Sequence, residues 1–499
     1  MIKFFKLVCV ITFLLGCLLP LNCSSDDAND ENPSENPSEI LVTAISIFGA
    51  NISNGGSNQL SVGVVPNNAT NAAVTWSVSD TSIATISETG LLTAVSNGTV
   101  TVIASATDGS GVSGEKEFAI AGVADNVEGV VVQTSAEILT AIANASQGDT
   151  IYVIGGEYMF TSTIQITGSG TNGNLISILP YPTNTIRPKF NFSSMSENSS
   201  NRGIELSGSY WYIKGIDVFA AGDNGMHITG DHNLIEFCTF SENADTGLQI
   251  DNGAVNNTIL NCDSFFNADS TLENADGFAC KLNAGSGNKF FGCRAWQNLD
   301  DGWDGYLRET DNVTTYYENC WAFKNGYLMN GTVGAGDGNG FKTGGSDDKT
   351  LKHNASYKNC ISAGNLFDGF DHNSNRGDIE IYNCSAFSNG RNISFSSTNI
   401  INSLIIKNTL SFDGNTNDSF SATTADITNN GWQNGLVTSA ADFVSIDIDL
   451  LASPRNEDGS LPSIDFLKLI SSSDLIDAGV NVGLPFNGSA PDIGAFEFE

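Results

Sequence analysis

The sequence predicts an all-β protein in two parts, a small β-sandwich followed by a β-solenoid. Three observations lead there. Six times a Cys is followed five residues later by an Asn: Cys238/Asn243, Cys262/Asn267, Cys293/Asn298, Cys320/Asn325, Cys360/Asn365 and Cys384/Asn389. Successive members stand 24 to 40 residues apart with no helical periodicity between them, as expected for one solenoid coil per repeat. Ahead of the repeats, residues 40–122 alternate apolar and polar positions in short runs broken by turn residues. Gly is abundant (52) and Pro scarce (11), and long amphipathic helical stretches are rare.

The elements follow in chain order. Lys3 and Lys6 precede an apolar run from Leu7 to Leu21, short for a membrane span, so residues 1–23 read as an export signal. Cys23 and then Ser24-Ser25-Asp26-Asp27 follow, an arrangement that resembles bacterial lipoprotein signals in which an acidic stretch after the lipidated Cys accompanies display on the cell surface. Cys23 is the expected lipidation site and Leu14-Leu15-Gly16-Cys17 the competing one. The resemblance implies an outer-membrane lipoprotein held at the cell surface through its lipid anchor, with ordinary secretion as the alternative. Residues 24–39 are acidic, contain the near-repeat Asn32-Pro33-Ser34-Glu35 and Asn36-Pro37-Ser38-Glu39, and lack an apolar face, so they read as a flexible tether.

Within 40–122, Val74-Thr75-Trp76-Ser77, Ser82-Ile83-Ala84-Thr85-Ile86 and Gly90-Leu91-Leu92-Thr93-Ala94-Val95 resemble bacterial immunoglobulin-like domains of group 2. Trp76 reads as a core residue, and the segment carries no catalytic constellation. The solenoid is assigned to 123–499. Thr134-Ser135-Ala136-Glu137 has capping-box spacing, and Ile138, Ala141, Ile142 and Ala145 share one helical face. A short helix there covers the open end of the first coil, ahead of a strand beginning at Thr150.

The Cys column sits in apolar surroundings and reads as small buried hydrophobes. An exported protein could bridge them, but free thiols are expected, because side chains in register on parallel strands point the same way, whereas a bridge needs its Cβ atoms turned together. The Asn column is expected at a bend, in the left-handed region, stacked through amide hydrogen bonds.

Aligning the coils on the Gly after each Asn gives Asn224-Gly225-Met226-His227, Thr246-Gly247-Leu248-Gln249, Asp276-Gly277-Phe278-Ala279, Asp301-Gly302-Trp303-Asp304, Asn339-Gly340-Phe341-Lys342 and Asp368-Gly369-Phe370-Asp371. The residue after Gly is always apolar and points inward, so the next points outward. Asp304 and Lys342 therefore share an exterior face on adjacent coils. Asp276 and Asp301 share the column before Gly, and Asp300 joins them. Four carboxylates on two coils repel one another unless a cation binds, and an all-oxygen set without Cys or His points to Ca²⁺. Lys342 could pair with the carboxylates or act as a base. The spacings Cys262–Cys293 (31) and Cys320–Cys360 (40) place insertions just before Asp276 and Lys342, where they would wall a cleft.

These segments carry a family resemblance. Asp276-Gly277-Phe278-Ala279-Cys280-Lys281-Leu282, Gly292-Cys293-Arg294-Ala295-Trp296, Asp300-Asp301-Gly302-Trp303-Asp304, Gly338-Asn339-Gly340-Phe341-Lys342-Thr343-Gly344-Gly345 and Gly369-Phe370-Asp371-His372-Asn373 are similar to polysaccharide lyases of family 9, the pectate lyase type. So is the end of the chain, Leu475-Ile476-Asp477-Ala478-Gly479 and Ala490-Pro491-Asp492-Ile493-Gly494-Ala495-Phe496. The resemblance implies a right-handed parallel β-helix, Asp276, Asp300, Asp301 and Asp304 as Ca²⁺ ligands, Lys342 as catalytic base, and β-elimination on an acidic polysaccharide (pectate, polygalacturonate).

Arg308, Arg376 and Asp371 are candidates for substrate binding, and no histidine is needed as a base. The net charge of −35 argues against nucleic acid, and a bound cation would reconcile it with a polyanionic substrate. A monomer is expected. Two other readings stand beside this one. A glycoside hydrolase on the same solenoid would use Asp304 and Asp371 and leave Lys342 without a role. A non-catalytic carbohydrate-binding surface adhesin would bind Ca²⁺ without turnover. Cys280, outside the Cys column, has no sequence-level explanation.

Overall fold

The computed structural model describes residues 39–122 and 127–499. The export signal, almost all of the tether, and Cys17 and Cys23 lie outside the described residues. The chain divides into two compact units between Asn126 and Val127.

The first unit is a small antiparallel assembly. Val74–Val78 and Ser113–Ile120 flank Gly98–Ala106, and Ala44–Phe48 pairs with Ser61–Val65. Alternation puts Val100, Val102, Ala104 and Phe118 into its core. Trp76 packs half-buried against that core, in the place expected for it.

The second unit is a parallel β-helix whose coils each give one strand to each of three sheets, of twelve, ten and ten strands. The helix at Ser135–Asn144 buries Ile138 and Ile142 over the first coil. Its Thr134 cap accepts from the Glu137 N–H at 3.2 Å, while the Glu137 carboxylate accepts from the Gln133 N–H at 2.9 Å, one residue short of a reciprocal box. The sequence places this helix ahead of every strand; in the structure Val130–Val132 comes first and pairs with Thr150–Val153.

The interior explains the repeat. Phe278, Trp303, Phe341 and Phe370 stack at ring separations of 5.1, 4.8 and 5.1 Å. Such pairs contribute about 0.5–1.5 kcal/mol each beyond burial. The column cysteines are buried free thiols. Several donate to a carbonyl of the preceding coil, as Cys293 does to Ile259 at 3.3 Å. Cys280 is also free and buried: it faces inward in register with Ile250, and its sulfur accepts from Thr315 at 3.4 Å.

The Asn column is a continuous ladder. From Asn243 to Asn365, each amide Nδ2 donates to the Oδ1 of the next coil's Asn at 2.8–3.0 Å. The left-handed conformation belongs to the residue before each Asn, not to the Asn: Glu242, Phe266, Gln297, Lys324, Gly364 and Ser388 have φ between 48° and 62°. The ladder also accounts for the repeated Gly. A Cβ on Gly302 would stand 2.5 Å from the Gly340 carbonyl and 2.8 Å from Asn325 Nδ2.

The sequence assigns all of 123–499 to coils, but the last strand is Ala422–Thr428. Beyond it the chain lies along the outside of one ten-stranded sheet. There Leu451, Phe466, Leu475 and Ile493 cover Trp321, Phe323, Ile361 and Phe387. Arg455 from this strap and Arg294 from the sheet grip one carboxylate, Asp263, at 2.7 and 2.8 Å.

Candidate active site

The other ten-stranded sheet carries the outward column, and its pairing keeps the register read from the repeats. His227, Gln249, Ala279, Asp304, Lys342 and Asp371 are consecutive partners across Met226–Ile228, Leu248–Ile250, Phe278–Cys280, Trp303–Asp304, Phe341–Lys342 and Asp368–Asp371. The column before Gly is tied coil to coil. Thr246 Oγ1 donates to Asp276 Oδ2 at 3.0 Å, and the backbone and side-chain N–H of Asn339 both donate to Asp301 Oδ1 at 2.9 Å.

Asp276, Asp300 and Asp301 converge, each offering an oxygen within 4.8 Å of the others. Asp301 is fully buried, and its Oδ2 has no hydrogen-bond partner apart from the Lys342 ammonium. Lys342 Nζ stands 3.0 Å from that oxygen and 3.2 Å from Asp337 Oδ2. Three convergent carboxylates, with Lys342 the neighbour of the buried Asp301 oxygen, form an all-oxygen set that suits a hard cation, so the donor set fits Ca²⁺. Asp304 lies on the same face but outside the convergent group.

Charge crowding shows in the titration of the cluster. Burial, and then the charge of Asp276, push Asp300 up to about 7. Burial likewise raises Asp301 and Asp276. Asp304 goes the other way: burial would raise it, but Lys342 and Lys281 outweigh burial and hold it ionised. For Lys342, burial favours the neutral amine, yet Asp301, Asp304 and Asp300 outweigh it and retain the ammonium.

Asp276, Asp300, Asp304 and Lys342 open into a cleft of about 670 Å³ lined also by Arg202, Gln249, Tyr306 and Arg308, with Asp301 buried beneath it. The two insertions meet at its rim, where the Ala335 N–H donates to the Leu272 carbonyl at 2.8 Å. The first insertion lines the cleft with Asp269 and Asn274, whereas the second reaches it only through the contact of Asp337 with Lys342.

The remaining candidates fall apart. Arg308 lines the cleft with its side chain 59% exposed and only a loose 3.7 Å approach to Asp347. Arg376 is not brought there: its guanidinium donates to the carbonyls of Lys349 and Ile400 and to Asn399. Asp371 continues the column beyond Lys342, its carboxyl raised to about 7 by burial and by Asp368. No histidine stands over the carboxylates. His227 bonds Glu205, His232 stacks on Tyr210, His353 bridges Gly305 and Thr315, and His372 bonds Asn375. Two residues that the column alignment passes over also reach the cluster, Lys281 at 2.7 Å from Asp276 and Asp337 against Lys342. Only the scarcity of lysine could have flagged the first, and nothing in the repeat marks the second.

Comparison with known proteins bears on the family and the fold. The family described as Pel9A-like, right handed beta helix region, matches residues 119–419, and the bacterial Ig-like domain of group 2 matches residues 42–116. Pectate lyase L of Dickeya chrysanthemi is 38% identical over 372 residues, covering 72% of this chain and 84% of that protein. Pectate lyase L of Paenibacillus polymyxa is 41% identical over 366 residues, covering 69% and 79%. Among solved structures, pectate lyase Pel9A superposes with a TM-score of 0.64 at 36% identity, covering 72% of this chain and 90% of that one. A rhamnogalacturonan lyase superposes at 0.62 with 25% identity, covering 69% and 97%.

Proposed function

The chain belongs to the Pel9A-like right-handed β-helix family of pectate lyases, polysaccharide lyase family 9, and we propose that it cleaves pectate by β-elimination with Ca²⁺ at Asp276, Asp300, Asp301 and Asp304 and Lys342 as the base. The observation that carries the reading is the pairing of Lys342 with the buried Oδ2 of Asp301 at 3.0 Å, beside the convergent carboxylates, with Lys342 itself lining the cleft. When bound, Ca²⁺ supplies positive charge that offsets a uronate carboxylate and acidifies the C5 proton.

The chain's own groups do the rest. Lys342, as the neutral amine, accepts the C5 proton on Nζ. The electron pair left on C5 forms the C4–C5 double bond, and the C4–O bond breaks with its electrons on the leaving sugar oxygen. Asp301 and Asp337 hold Nζ at the mouth of the cleft. Arg308 is available there to a neighbouring uronate carboxylate.

Depolymerisation of a uronan panel, with and without chelator, tests the reading through the ultraviolet absorbance of the unsaturated product. Pectate should give chelator-sensitive absorbance; reducing ends without absorbance would instead indicate a hydrolase. Rhamnogalacturonan belongs in the panel because of the second structural match. We also propose surface attachment through lipidated Cys23. Loss of membrane fractionation and of acyl labelling in Cys23→Ala, but not in Cys17→Ala, is the expected result.

A further inference from the structure

Lys281 is not among the expected ligands, yet it is a cation the chain itself supplies to them. It lies two residues after Ala279, on the same outward side of its strand. Ala279 leaves only a methyl group in the exterior column at that coil and is nevertheless fully buried. The Lys281 side chain turns back on this side and is only 16% exposed. Its Nζ stands 2.7 Å from Asp276 Oδ2, 3.3 Å from Asp304 Oδ2 and 3.5 Å from Thr246 Oγ1. Those three partners belong to three successive coils.

The consequence falls on Asp304. It is the one expected ligand missing from the convergent group. Both of its oxygens are engaged: Oδ1 accepts the Tyr306 N–H at 2.9 Å, and Oδ2 faces Lys281. Asp276 Oδ2 is likewise shared between Lys281 and Thr246. Two of the four carboxylates are thus turned toward the Lys281 ammonium, while Asp301 Oδ2 faces that of Lys342.

We propose that Lys281 is a built-in competitor for the cation seat. Without metal its ammonium holds Asp276 and Asp304; a divalent cation gains Asp304 only as that ammonium withdraws. The inference rests on the Ca²⁺ reading above. Lysine suits the task, being a point charge on a flexible stem, whereas a guanidinium would clamp a carboxylate with two parallel hydrogen bonds. Lys281 therefore keeps the site intact between metal-binding events and lowers its affinity, because only the fraction with Asp304 released is competent to bind.

The experiment compares the full chain with Lys281→Met and Lys281→Gln after chelation and dialysis. Calorimetric titration with CaCl₂ and thermal unfolding with and without Ca²⁺ are the readouts, and circular dichroism checks the fold. Each variant should bind Ca²⁺ about threefold or more tightly than the parent. Each should also unfold at a lower temperature without metal and gain more from adding it. The Gln variant carries the test if the Met variant does not fold. A parent that binds no Ca²⁺ would overturn the metal reading and this inference with it. A parent that binds, beside folded variants that bind equally or more weakly, would overturn this inference alone.

Discussion

Lys342 carries the sharpest prediction because the proposed function gives it a second job beside its ion pairs, and the two can be separated. Its side chain is 10% exposed, and its Nζ faces a fully buried carboxylate, Asp301, and a largely exposed one, Asp337. Lys342→Ala strands the Asp301 charge, and breaking a buried pair costs about 3–5 kcal/mol. The exposed Asp337 partner adds about 1 kcal/mol at most. In a domain this large each kcal/mol moves the melting temperature by roughly 2 °C or less, so metal-free Lys342→Ala should melt about 5 °C below the parent. Turnover should fall at least about a hundredfold, as for a lost general base. Ca²⁺ should restore most of the melting temperature and none of the turnover. Lys342→Arg should keep the stability and be nearly as inactive, since a guanidinium does not release its proton at working pH. In the parent, the carboxylates hold Lys342 as the ammonium and burial opposes them, so the rate should rise toward alkaline pH. Turnover on pectate and differential scanning calorimetry, each with and without Ca²⁺, measure both effects. Near-parental turnover in Lys342→Arg would refute the reasoning and leave Lys342 as an electrostatic anchor.

Three further outcomes are expected. Asp301→Ala should lose Ca²⁺ binding and activity while keeping its β-rich far-ultraviolet spectrum; full activity in that variant, or in excess chelator, would end the metal reading. The six column cysteines and Cys280 should react with a thiol reagent only after denaturation and without prior reduction; fewer than about two reacting until a reductant is added would show a bridged column. His353 is buried, and burial lowers its pKa. As pH falls through about 6.5 the unfolded chain gains a proton that the folded chain refuses, so stability should decline with acidification. His353→Gln should flatten that slope between about pH 7 and 5.5. An unchanged slope in a folded variant would count against the burial argument.

What the sequence disclosed and what it hid differ in kind. A strand column is a local property repeated, so aligning the chain on its glycines places Asp304 beside Lys342 and Asp276 beside Asp301 without long-range information. Lys281 escapes that alignment because it reaches its partners by turning back along its own coil, and Asp337 because it sits in an insertion with no counterpart in other coils. Arg376 looks like a ligand group by type alone, but three local acceptors take up its guanidinium. The left-handed position fell one residue before the Asn because the bend and the ladder are separate requirements: one residue turns the chain so that the next can stack. The strap beyond Thr428 has no period, and only the apolar exterior of the sheet beneath it, Trp321, Phe323 and Ile361, could have announced a cover.

The Asn ladder also has a direction. Each of its Asn residues gives its backbone N–H and its Nδ2 to the Oδ1 of the coil that follows, from Asn243 onward, and Asn389 gives both to Asn392 within its own coil. A chain folding coil by coil from its N-terminal side therefore carries two unanswered donors at its newest coil of the ladder. Leaving such buried groups unsatisfied costs about 1–3 kcal/mol apiece. Each arriving coil answers the last pair and opens another, until Asn392 takes the pair from Asn389 and passes its own Nδ2 to the Phe412 carbonyl at 2.9 Å. A polypeptide ending just before Asn389 would already hold every residue of the cleft and would still lack the acceptor for Asn365, so the residues of the site and the closure of the ladder lie at different points of the chain.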